Sequence, residues 1–88
     1  MRVASKAPGD VVEYVVAYDG LGTDTINSLA VAASGITIAS PAPSFSGSQV
    51  IVWVSGGTVD AVGVVTITVT TAGGRTFVRT LEVPIEVL

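Results

Sequence analysis

Between Val62 and Thr71 the chain alternates with a period of two: Val65, Ile67 and Val69 fall on one face, Thr66, Thr68 and Thr70 on the other. That period belongs to a β-strand with one buried face. Val11–Tyr18 (VVEYVVAY) sets Val12, Tyr14, Val16 and Tyr18 against Val11, Glu13, Val15 and Ala17 in the same way. Thr25–Ala33 and Gly35–Ser40 read as two further strands, the second placing Ile36 and Ile38 around Thr37. Gln49–Ser55 (QVIVWVS) is apolar on both faces, which suits a central strand of a sandwich or one covered by a neighbouring subunit. The last strand runs from about Arg75 to the C-terminus, with Phe77, Leu81, Val83, Ile85 and Val87 on one face and Thr80, Glu82 and Glu86 on the other. Arg79 falls on the apolar face, so it sits at the sheet margin or a bulge shifts the register there. Pro84 has no N–H to donate to a ladder and marks an edge.

The breaks between these runs are turn chemistry. Asp19–Asp24 (DGLGTD) carries two glycines, Pro41–Ser48 (PAPSFSGS) reads as a loop on its two prolines, and Gly56-Gly57 and Gly73-Gly74 read as hairpin turns that β-branched residues cannot make. Met1–Gly9 (MRVASKAPG) reads as a flexible N-terminal arm, and residues 10–88 as one domain. No stretch carries apolar residues at i, i+3, i+4 and i+7 over three turns, so no helix is expected. Six or seven short strands at this spacing predict an all-β fold, an immunoglobulin-like antiparallel β-sandwich of about seven short strands. A small closed barrel is the alternative.

Composition agrees and removes most chemistry. Seventeen valines and ten threonines stand against four leucines among 88 residues, and β-branched side chains fit a pleated surface better than a helix. With no cysteine and no histidine there is no disulfide, no thiolate nucleophile and no imidazole base or ligand. Ser–Lys catalysis would have to use Lys6, the only lysine, from a segment expected to be an arm. An enzyme is therefore not expected, and neither is a cofactor. The apolar runs Val50–Val54 and Ala61–Val65 are far short of the roughly 20 residues of a membrane-spanning helix. Arg2 and Lys6 have no apolar stretch behind them, so no export signal is expected.

Charge is distributed oddly. From Thr25 to Val59, thirty-five residues, there is no Lys, Arg, Asp or Glu; Arg2, Lys6, Arg75 and Arg79 lie towards the two ends. A net charge of −3 and an isoelectric point near 4.4 leave no basic footprint for nucleic acid. A surface so poor in charge tends to associate, which predicts a homo-oligomer or covering partners.

Several local features admit a functional reading beside a structural one. Asp19 and Asp24 flank a tight turn that a hard cation would suit, but no third carboxylate is near in sequence; a polar turn in which Asp24 accepts backbone N–H bonds explains it as well. Gly20-Leu21-Gly22 begins like a dinucleotide fingerprint but lacks the third glycine and the following helix. Trp53, between two valines, reads as a core indole or as an interface anchor. Arg75 is placed to pair with Asp60, Asp24 or a neighbour's carboxylate. Phe45, Tyr18 and Arg79 are candidates for contact with a partner.

Taken in order, Tyr14-Val15-Val16-Ala17-Tyr18, Asp24-Thr25-Ile26 followed by Ser28, Gly35-Ile36-Thr37, Val52-Trp53-Val54-Ser55-Gly56-Gly57-Thr58 and Thr70-Thr71-Ala72-Gly73-Gly74-Arg75-Thr76 resemble the phage fibre–tail adaptor proteins over roughly residues 8–87. Asp24, Ile26, Trp53, Gly56, Gly57, Gly73, Gly74 and Arg75 carry the resemblance. Leu29, Ala30 and Val31 stand where the family often has an aromatic residue, and Val59-Asp60 where it usually has a glycine. The resemblance implies a non-enzymatic virion protein of a tailed bacteriophage, assembled in the host cytoplasm. Its partners would be tail, connector or fibre proteins, with no nucleic acid and no membrane. Capsid decoration is an alternative location, and a carbohydrate-binding module an alternative role for such a sandwich.

Overall fold

The long strands of this protein each have at least one apolar row, and a row of valines is buried only when a second sheet covers it. A computed structural model describes residues 3–18, 24–40 and 42–87 and shows how that is met. The strands are β1 (Val12–Ala17), β2 (Ile26–Ser34), β3 (Thr37–Ile38), β4 (Ser44–Ser46), β5 (Gln49–Ser55), β6 (Val62–Thr71) and β7 (Thr76–Pro84). In one sheet β5 is central, pairing with β1 on one side and with the short β3 and β4 on the other; the second sheet has the order β2-β6-β7. All of these pairings are antiparallel. The protein is an antiparallel β-sandwich, and the closed barrel is excluded because the two sheets remain separate.

The core lies between the sheets. Val50, Val52 and Val54 of β5, Val65, Ile67 and Val69 of β6, and Leu81 and Val83 of β7 are fully buried in a single cluster with Val16, Tyr18, Ile26, Ile36 and Ile85. The alternation read from Val62–Thr71 is therefore the one observed, with Thr66, Thr68 and Thr70 outward and Thr71, at the strand end, buried. Arg79 resolves to the sheet margin: the β6–β7 register runs without interruption from Val62↔Pro84 to Thr70↔Thr76 and sets Ile67 opposite Arg79.

Three local expectations change. The segment read as a loop over Pro41–Ser48 contains β4, whose Ser44, Phe45 and Ser46 pair with Ile51, Val50 and Gln49 across a turn at Gly47; three residues are too few to show a period. The strand expected over Gly35–Ser40 shrinks to Thr37–Ile38, since Ile36 turns inward at the crossover between sheets. Gly56-Gly57 is not a hairpin turn but the passage from β5 in one sheet to β6 in the other.

The Met1–Gly9 segment, expected as a free arm, is held against the sandwich from Val3 onward. Val3 N–H donates to the Glu82 carbonyl (3.0 Å), Lys6 N–H to Pro84 (3.1 Å), and Glu86 N–H returns to Lys6 (2.9 Å). Lys6 forms a parallel bridge with Ile85, so the segment extends the sheet beyond β7. The physical reason is backbone pairing: β7 is an edge with free groups, and a polar lead-in satisfies them as well as an apolar one does.

In so small a core each large side chain is a sizeable share of the stability. Leu81→Ala, at a position with no exposure, is expected to lower the unfolding free energy by about 2–4 kcal/mol in urea titrations with an unchanged slope; a change under about 0.5 kcal/mol would contradict the sandwich core described here.

Candidate functional site

The residues that carry the sequence motifs fall into two structural anchors and two outward surfaces. The first anchor is Asp24. It precedes β2 and lies against the β6–β7 hairpin, where Oδ1 accepts from its neighbour Thr25 N–H (3.0 Å) and from Gly73 N–H (2.9 Å). The Thr71 hydroxyl first, then the Gly73 and Thr25 amides and Arg75, hold the carboxyl below its ordinary value of 3.8, with desolvation opposing them. Arg75 Nε lies 4.0 Å from Oδ2, so within the chain it is Asp24 that Arg75 approaches. The hairpin is closed by Gly74 N–H to Thr71 O (3.0 Å), Thr71 N–H to Arg75 O (2.8 Å) and Arg75 N–H to Thr71 Oγ1 (3.0 Å). Gly73 is required by space, since a Cβ there would stand 2.9 Å from Asp24 Oδ2, and Gly74 by its φ of +88°. Ile26, two residues on, is buried in the core. Asp19, Gly20, Leu21 and Gly22, where a cation loop and a nucleotide fingerprint were weighed, lie outside the described residues.

The second anchor gave no sequence signal. Lys6 is 1% exposed, and its Nζ donates to the carbonyls of Gly56 (2.6 Å) and Ala7 (2.7 Å). It thus ties the N-terminal segment to the β5–β6 passage. Gly57 beside it has φ +100°, and a Cβ there would sit 2.7 Å from Ile85 Cδ1. Tyr14 Oη donates to the Ala4 carbonyl (2.6 Å), so β1 holds the same segment. A lone lysine among polar residues resembles a solvated charge; only the distant carbonyl of Gly56 makes it an anchor.

The outward surfaces begin at Trp53. It is half-buried and does not belong to the core: Val52 and Val54 point inward and Trp53 points away, with Ile51 and Ser55. The core-indole reading is corrected; a strand apolar on both faces fixes no phase, and the valines took the inner face. Through the β1–β5 register Trp53 lies opposite Glu13, and Ile51 opposite Val15, which is 53% exposed. The outer face of this sheet is thus an apolar strip with one charge at its side.

The remaining candidates divide by exposure. Phe45 is 40% exposed on β4, at the margin of the sheet. Tyr18 is buried at 4%, with its ring centroid 6.1 Å from that of Phe77; burial raises its pKa, and Arg79 partly offsets this. The Arg79 guanidinium carbon lies 5.5 Å from the Tyr18 ring centroid and 5.4 Å from that of Phe77, a cation–π lid over two aromatic rings. Arg79 and Phe45 therefore face solvent, while Tyr18 supports Arg79 from beneath. Among the described residues no group of three His, Cys, Asp or Glu side chains gathers, and no helix is long and apolar enough to cross a membrane.

A protein-family model described as podophage GP4 fiber-tail adaptor protein gp77 covers residues 6–84. No curated protein matches the sequence.

The two anchors make separate predictions. Because the Asp24 pKa is lowered in the fold, its contribution is present above the unfolded-state value and fades as pH falls through it towards the folded value. The melting temperature should drop below about pH 4, and Asp24→Asn should lower it at neutral pH while flattening that acid limb; an acid limb identical in the variant would contradict the clamp. Lys6→Ala should cost about 2 kcal/mol and speed amide exchange at Lys6 and Glu86 selectively. Unchanged exchange at both would show that Lys6 does not hold the segment.

Proposed function

We propose a role that starts from family membership: the chain belongs to the podophage GP4 fiber-tail adaptor protein family, and it serves as a non-enzymatic structural adaptor within a tailed-phage virion. It joins a tail fibre or another appendage to the tail or connector. Its partners are other virion proteins and further copies of itself, and it reaches the virion by assembly in the host cytoplasm.

The observation that carries this reading is the outer face of the β1–β5 sheet. A two-sheet sandwich of this size needs one apolar face per sheet, and β5 presents two. Its inner valines fill the core, while Ile51 and Trp53 lie with Val15 on the outside. Large apolar side chains grouped outside a core mark a surface that another molecule covers, and tryptophan is prominent among residues that anchor such contacts. The same strip belongs largely to the thirty-five residues without charge, so burying it desolvates few ions. That suits a permanent structural joint.

The strip predicts the outcome of one substitution. Trp53→Ala leaves the core intact, and should weaken binding to the parent phage's tail or fibre proteins by about 30-fold with little change in circular dichroism. Equal affinity of variant and wild type would move the interface elsewhere. Binding of the wild type to the major capsid protein, and to no tail component, would overturn the adaptor role in favour of head decoration.

A further inference from the structure

A partner that covers the outer face of the β1–β5 sheet must also cover a carboxylate. Glu13 is exposed on β1, directly opposite Trp53 in the β1–β5 register, and the next pair along the same face is Val15 with Ile51. Val11 and Val15, two residues to either side of Glu13, are both more than half exposed. The remaining positions that the register places on this face are apolar, hydroxyl or amide. Glu13 is thus a single charge set among apolar side chains.

A glutamate on an edge strand has a plain use, which is to keep foreign strands off the edge. Solvated, it needs no partner. Under a joint it does, because a carboxylate withdrawn from water without a counter-charge is strongly unfavourable. The described cations are committed elsewhere: Lys6 is buried at its two carbonyls, Arg75 lies by Asp24, and Arg79 covers Tyr18 and Phe77. No ion pair to Glu13 forms among the described residues. The same commitments hold in every copy of the chain, so the complement comes from a different protein.

We propose that Glu13 and Trp53 form one recognition site for an arginine of a partner virion protein, whose guanidinium lies over the indole and donates to the Glu13 carboxylate. Directly opposed residues on antiparallel strands have Cβ atoms about 5 Å apart, within the reach of one guanidinium. Arginine suits the pair better than lysine: its planar group stacks on an aromatic face while its N–H fork engages a carboxylate, and it is the more weakly hydrated cation. The chain already uses half of this arrangement where Arg79 lies over Tyr18 and Phe77. A sugar would also stack on an indole beside a carboxylate, but it needs further hydrogen-bonding groups around the pair, and Val11, Val15 and Ile51 supply none. On a strip otherwise without charge, one such ionic contact fixes the register in which the partner docks. This deepens the adaptor reading and rests on the outer face being its joint.

Binding of the wild type, Glu13→Gln, Trp53→Ala and the double variant to the purified tail and fibre proteins of the parent phage, taken one at a time and at two salt concentrations, tests it. Both positions lie outside the core, and circular dichroism checks that the variants fold. Glu13→Gln should weaken binding about tenfold and flatten its salt dependence. The double variant should bind about as weakly as Trp53→Ala alone, because one arginine serves both residues, instead of showing the roughly 300-fold loss of independent contacts. Losses that multiply in full would show two separate contacts and overturn the shared site. Weakening by Trp53→Ala with none by Glu13→Gln would overturn the arginine and leave the joint standing. Wild-type affinity in all three variants would overturn both, as would a wild type that binds no tail or fibre protein. Displacement of the bound protein by a neutral polysaccharide would give the site to a sugar instead.

Discussion

The contact on which the structure depends is the packing of one short apolar row from each sheet: Val50, Val52 and Val54 from β5 with Val65, Ile67 and Val69 from β6. All six are fully buried, and the two strands are the central members of their sheets. A chain of 88 residues buries too little surface to sustain a second core. Every other element is therefore placed by what it adds to this row or by what it does at the rim. β1 and β7 widen the row, Ile26, Ile36 and Ile85 close its ends, and the short β3 and β4 border it without extending it.

The rim is where the sequence uses its few ionic groups. Asp24 joins the entry of β2 to the β6–β7 hairpin, Lys6 joins the N-terminal segment to the β5–β6 passage, and Arg79 covers Tyr18 and Phe77. Each sits where strands change sheet, end or meet a free edge. The stretch without charge, from Thr25 to Val59, includes the β2 edge and the outer face of β5. Under the proposed adaptor role the unusual charge distribution is a division of labour: ionic groups secure the fold at one side and at the turns, and the uncharged remainder is left for contact. A structural joint in a phage particle is consistent with that division.

Much of this was readable in advance. Gln49–Ser55 and Val62–Thr71 have the expected boundaries because two-residue alternation, or a wholly apolar run between turn residues, is a strong local signal. The Asp24 clamp was foreseeable from a carboxylate just before a strand, and Arg79 at the margin from its place on an apolar face. What was not legible depends on partners distant in sequence. β4 hides behind Pro41 and Pro43, and Lys6 has meaning only through Gly56, fifty residues on. The side to which Trp53 points depends on which of two apolar faces finds the opposite sheet. Asp60 shows a further limit: it holds φ +69°, a conformation glycine adopts more readily. The turn geometry there is explained, but the choice of aspartate is not.

The central claim is that the uncharged, outward surface of this sandwich is the surface the virion covers. A cryo-electron microscopy reconstruction of the parent phage tests it most directly. The account predicts density for this chain at the junction of fibre and tail, with neighbouring molecules over Trp53 and Val15. Density for the chain with that surface open to solvent, and its contacts made instead through Arg75, Glu82 and Glu86, would contradict it.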